Sequence, residues 1–137
     1  MIPRRVTGTY CIGIGITMAS MWIVFYVAGA IPELTSAPME IGSHLIAEGL
    51  TASFLLAAGY GLFRSRHWAT SVLLFALGML LYTVINSAGY FAQRGELVMV
   101  GMFTLLTLTT GAFLLDLLRD AAVNGRETAQ SGGWPYA

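Results

Sequence analysis

A chain of 137 residues has the length of one ordinary domain, but 56% of it is hydrophobic and only 10% is charged, far from the roughly one quarter charged residues of a soluble globule. Its formal net charge is zero and it contains no lysine, so there is no basic tract to follow a phosphate backbone, which argues against nucleic acid as a partner. The single cysteine, Cys11, excludes an internal disulfide, a CxxC redox pair and a cysteine-rich zinc cluster.

Four apolar stretches, 9–30, 39–63, 68–91 and 96–118, each come close to the ~20 residues that cross a ~30 Å hydrocarbon core. Lipid offers backbone amides no partner, and none of the stretches alternates as a barrel strand does, so each predicts a spanning helix. The expected fold class is all-α: an integral membrane four-helix bundle, up-down-up-down and antiparallel because every loop is short. It forms a single domain over 1–120, followed by a mobile cytoplasmic tail over 121–137.

The first stretch follows Arg4-Arg5 and ends at Ala28-Gly29-Ala30, which resembles a cleavage site. Its apolar run exceeds the roughly 7–15 residues of a signal core, so it reads as a spanning helix. Before the second, Thr35-Ser36-Ala37-Pro38 offers capping hydroxyls and a first-turn proline. That helix carries Gly49, Ser53, Ala57 and Gly61, a small-residue stripe expected to pack closely on a neighbour, as are Gly8, Gly13 and Gly15 of the first helix, less regularly spaced. In the fourth, Thr104, Thr107 and Thr110 are expected to bond their own helix's carbonyls. Asp116, Arg119 and Asp120 beyond them are expected to form a solvated cap with Arg4, Arg5 or Arg64.

Arginine sets the orientation, because short cytoplasmic loops are rich in it. Arg4, Arg5, Arg64, Arg66, Arg119 and Arg126 lie on the side of the termini and the middle loop, and Arg94 alone lies opposite. The expectation is an inner-membrane protein with both termini cytoplasmic.

Glu40, His44 and Glu48 recur at four-residue spacing along the second helix, and Tyr82, Asn86 and Tyr90 along the third. Such positions fall on one slowly drifting stripe. Antiparallel pairing of the two helices would set Tyr90 near Glu40, Asn86 near His44 and Tyr82 near Glu48, a polar cavity in the outer half of the bundle. A charge at that depth costs roughly 2.5–3.5 kcal/mol on insertion scales and usually faces a bundle interior or a wet cavity. His44 and Glu48 could share a proton as one coupled unit suited to acid–base work, and Asn86, Tyr82, Glu40 and Tyr90 would bind a ligand. The structural alternative is interhelical hydrogen bonding at about 0.6 kcal/mol per contact. Glu40 then sits at the interface, where the helix dipole favours an anion, and Tyr90 in an aromatic belt. A histidine and two carboxylates can bind zinc, iron or manganese, but three side chains in one column do not readily converge on an ion. No metal is expected, and the sequence names no cofactor.

The stretch His44-Leu45-Ile46-Ala47-Glu48-Gly49 is similar to an HLxxEG segment of the emopamil-binding sterol isomerases, membrane enzymes whose intramembrane His and Glu transfer protons. The resemblance covers six residues, and that family's further catalytic carboxylate has no counterpart here. It implies proton-transfer roles for His44 and Glu48. Three functions fit the residues: a membrane protein that binds a small or lipid-like ligand, with isomerase- or hydrolase-like acid–base catalysis as an extension; an accessory or assembly subunit of a larger membrane complex; and a proton-coupled transporter acting as a homodimer. Beyond the lipid bilayer itself, the expected partners are accordingly a small or lipid ligand, a second copy, or a larger complex.

Overall fold

A computed structural model describes residues 2–131, and every regular element among them is helical. Helix α1 spans Arg4–Val27, α2 Glu33–Ser36, α3 Pro38–Phe63, α4 Ala69–Gln93 and α5 Leu97–Ser131. The four long helices are each long and apolar enough to cross a membrane, and the chain is a small membrane protein with a helical-bundle fold. Its exterior is correspondingly apolar, with Val98 85% and Ile23 64% exposed.

Three tight turns set the up-and-down path. Gly29 (φ +64°), Ser65 (φ +49°) and Gly95 (φ +73°) adopt the left-handed conformation just past α1, α3 and α4. In each turn the following amide reaches back five residues: Ala30 N to Phe25 O at 3.0 Å, Arg66 N to Gly61 O at 2.9 Å, and Glu96 N to Phe91 O at 3.1 Å. These are helix-ending bonds of the Schellman type, which satisfy carbonyls that the helix leaves open. Pro38 opens α3 at its first position as expected, but Thr35 and Ser36 do not cap it. They belong to α2, and their hydroxyls donate back to Pro32 O at 2.9 and 3.4 Å. At the other end of the chain, α5 runs past the expected stop at Leu118 to Ser131. Ala121, Ala122 and Arg126 favour a helix, and the one interior glycine there, Gly125, costs only about 1 kcal/mol. The rest of the expected tail, 132–137, lies outside the described residues.

Helix α3 is central: α1 packs along one side of it and α4 along another, with α5 against α4. The buried apolar cluster, including Cys11, Leu55, Leu62, Leu73 and Leu77, reaches toward the end that holds the start of α1 and the α3–α4 turn. There α1 and α5 also meet. Tyr10 Oη lies 2.8 Å from Thr110 Oγ1, the Tyr10 ring stacks on Phe113 at 4.6 Å, and Ile2 N donates to Asp116 Oδ2 at 2.7 Å. Asp116 thus takes a backbone amide of the N-terminal segment. Thr104 and Thr107 bond carbonyls of their own helix, Val100 O and Phe103 O, both at 2.8 Å.

The close helix approach is made by α1 on α3, through the expected Gly8 and Gly15 of α1 and not through the regular stripe of α3. A Cβ on Gly59 would lie 2.6 Å from Ile12 Cγ1 and 3.0 Å from the Gly8 carbonyl oxygen, and one on Gly15 would lie 3.1 Å from Ala52 O. Gly8 and Gly15 therefore oppose Gly59 and Ala52 at seven-residue spacing, nearly two helical turns, which keeps both pairs on one seam. Of the expected stripe, Gly61 packs beneath Trp68, but Gly49 has open space where a Cβ would be and Ser53 is exposed.

Candidate functional site

The α1–α3 seam continues one further step, from Gly8 and Gly15 to Trp22, and there it meets the acidic stripe of α3. Glu48 is 5% exposed, on a helix whose first residue is Pro38. At 1.5 Å per residue it sits ~15 Å along the helix from that end. Trp22 Nε1 donates to Glu48 Oε2 at 3.4 Å. One turn earlier on α3, His44 Nε2 lies 3.9 Å from Glu48 Oε1, beyond hydrogen-bonding distance. The Trp22 indole meets the His44 ring edge-on, with centroids 5.6 Å apart, and Phe25 edge-on at 6.0 Å.

These groups border a cleft of about 250 Å³ between α1 and α3, walled by Met18, Trp22, Leu45, Glu48, Gly49 and Leu56 among others. Glu48 Oε1 accepts no hydrogen bond, yet among the described residues no fully buried side-chain oxygen or nitrogen lacks a partner. Oε1 must therefore keep a small accessible surface, and the cleft is the space that Glu48 lines. Gly49 leaves the cleft open on the exterior side. His44 is the more exposed of the two, its side chain 31% exposed against 6% for Glu48.

The structure thus joins His44 and Glu48, adds Trp22, and leaves the other expected site residues elsewhere. The antiparallel α3–α4 register is close to the expected one: Tyr82 lines a groove of about 700 Å³ together with Ala47 and Thr51, one residue from Glu48. The rotation of α3 is what differs. Neighbouring residues point ~100° apart on a helix, so Ala47 faces α4 while Glu48 faces α1. The expected convergence of Tyr82 and Asn86 on the pair is accordingly corrected. Tyr82 is 70% exposed, and Asn86 is exposed with no hydrogen bond among the described residues. Glu40 is exposed in the first turn of α3. No group of three His, Cys, Asp or Glu side chains suited to a metal ion occurs among the described residues.

Tyr90 belongs to a second polar group at the linker end. Its hydroxyl donates to Glu33 Oε1 at 3.2 Å, Arg94 Nη2 donates to the same oxygen at 3.3 Å, and the Arg94 guanidinium lies 4.3 Å from the Tyr90 ring centroid. The Glu33 backbone amide, then Tyr90 and Arg94, hold the Glu33 carboxyl below the usual carboxylate range. This clasp of the linker onto α4 is formed at neutral pH and loosens in acid as pH falls through that lowered value. Its groups are exposed, so it is a weak, salt-sensitive contact.

Trp22, which the sequence analysis gives no part in the candidate site, is the residue that α1 brings to Glu48. Its signal was the seven-residue series Gly8, Gly15, Trp22, which marks one face of α1.

The family described as a domain of unknown function (DUF8058) matches residues 1–130. No curated protein and no solved structure matches the chain.

Proposed function

The chain belongs to the DUF8058 family, and we propose that it binds a small or lipid-like ligand in the α1–α3 cleft, with Glu48 and His44 exchanging a proton with that ligand. The observation that carries this reading is Glu48: 5% exposed within an apolar helix, bonded once, at 3.4 Å, and lining a cleft. An interhelical hydrogen bond in a membrane contributes about 0.6 kcal/mol, whereas a charged residue at depth costs roughly 2.5–3.5 kcal/mol to insert. The Trp22 contact does not offset that cost, so adhesion between α1 and α3 is a poor reason to place a glutamate there.

Filling the cleft without disturbing the helices tests the reading. Gly49 has open space at its Cβ, so Gly49→Phe should fold and melt like the wild type while occupying the cleft. Native mass spectrometry of protein extracted in lipid nanodiscs should show a bound lipophile on the wild type that is lost from both Gly49→Phe and Glu48→Gln. An unchanged bound complement in both variants would remove the cleft as the site. The accessory-subunit reading draws on the larger α3–α4 groove. In that case Gly78→Phe, which fills the groove, would impair assembly while Gly49→Phe would not.

The orientation we propose, with both termini cytoplasmic in the inner membrane, rests on the six arginines at the termini end against Arg94. In a Cys11→Ser background, single Leu34→Cys and Glu96→Cys variants should react with an impermeant thiol reagent on spheroplasts, and Ser65→Cys only after lysis. The reverse pattern would invert the protein and put Glu48 nearer the cytoplasm.

A further inference from the structure

We propose that the ligand of the α1–α3 cleft is an amphiphilic organic cation, whose charged nitrogen sits against Glu48 and Trp22 and whose apolar body lies along Met18, Leu45 and Leu56. This rests on reading the cleft as a ligand site and goes further by naming the chemical class. The inference starts from charge. Every arginine lies at one end of the bundle or the other, and there is no lysine, so no permanent cation of the protein neutralises Glu48. From α1 the cleft receives Met18, Ala19, Trp22 and Ile23, none of them titratable. From α3 itself the one titratable neighbour is His44, at 3.9 Å. From α4, Tyr82 and Thr83 border the groove with Ala47 and Thr51 on the other side of α3. Glu48 is therefore a buried carboxyl whose second oxygen has no fixed positive or donor group bonded to it.

The aromatic wall points the same way. Trp22 lines the cleft, and its edge-on contacts with Phe25 and His44 hold the indole in place. An indole face attracts a cation more strongly than do other aromatic rings, and the attraction grows when water is excluded. A neutral alcohol or amide could use the carboxyl only as a hydrogen-bond acceptor; a cation also meets its charge, and gains from the indole where it reaches the ring's face beyond the N–H edge that Trp22 turns to Glu48. Size sets the rest. About 250 Å³ lies just below the usual range for small-molecule pockets, enough for a head group and a short apolar body. A longer tail would leave past Gly49 and Ser53, both exposed, into lipid.

The test compares benzyltrimethylammonium with its neutral carbon isostere, neopentylbenzene, by calorimetry on the full chain in phosphatidylcholine nanodiscs. The cation should bind at least tenfold more tightly than the isostere. Glu48→Gln should weaken the cation at least tenfold and change the isostere by less than twofold, while Glu48→Asp, which keeps the charge, retains the preference. Trp22→Leu should weaken the cation severalfold. Equal binding of the two probes, with both displaced by Gly49→Phe, would overturn the cationic class and leave the ligand cleft standing. Cation binding that survives Glu48→Gln would overturn it as well. No binding of either probe, together with no lipophile lost from Gly49→Phe, would overturn both readings.

Discussion

Gly59→Leu should separate α1 from α3 and destabilise the protein by about 3 kcal/mol or more, with Gly59→Ala costing about 1–3 kcal/mol. The clash at this site cannot be relieved by a rotamer change. A Cβ would meet Ile12 Cγ1 at 2.6 Å, near the root of that side chain, and the Gly8 carbonyl oxygen at 3.0 Å, which is backbone. Only an outward shift of α1 makes room, and that shift also loosens Gly15 from Ala52 and withdraws Trp22 from Glu48. The control is Gly49→Leu on the same helix, which meets nothing within 4 Å and should change stability by less than about 0.5 kcal/mol. Steric-trap unfolding in bicelles measures both. A Gly59→Leu variant as stable as Gly49→Leu would mean that α1 does not dock on α3 through this seam.

The four spans were legible because apolar length is a one-dimensional signal: no packing detail is needed to see that 39–63 can cross a bilayer. The α3–α4 register was legible too, since a short turn leaves little freedom in how two antiparallel helices align, and Tyr82 does lie at the level of Ala47 and Thr51. The rotation of α3 about its axis was not. A helix that is apolar on nearly every side carries no stripe to say which face meets protein and which meets lipid, so adjacency in sequence does not say which neighbour the polar residues of α3 face. The better guide lay in the small residues of α1, where Gly8 and Gly15 mark a face on which a backbone can come close. Following that spacing one more step reaches Trp22, and with it the partner of Glu48. The length of α5 differs from that of its apolar stretch for a different reason. Polarity after Leu118 ends a membrane span but does not end a helix, and no strong breaker precedes the Gly132-Gly133 pair.

Glu48→Met should make the protein more stable, by about 1–3 kcal/mol, while abolishing ligand retention. Methionine matches the length of glutamate and fills irregular apolar space without strain, so no cavity opens between α1 and α3. The substitution removes a carboxyl whose burial is costly at 5% exposure. It gives up one hydrogen bond of 3.4 Å from Trp22, worth about 0.6 kcal/mol in a membrane setting. Trp22 is only half-buried, so its freed indole N–H is not sealed away from other partners. The balance favours the variant. His44→Leu should behave alike but more weakly, because nearly a third of that side chain is already exposed. This sign separates the competing readings more sharply than loss of activity can. A glutamate kept to bind α1 to α3 must destabilise the bundle when removed; one kept for a ligand or a proton is carried at the expense of stability, as functional groups commonly are. Unfolding measured as for Gly59, with lipophile retention read on the same preparations, gives both quantities. A Glu48→Met protein less stable than wild type by 1 kcal/mol or more would make Glu48 a structural contact, and the cleft would lose its claim to a ligand.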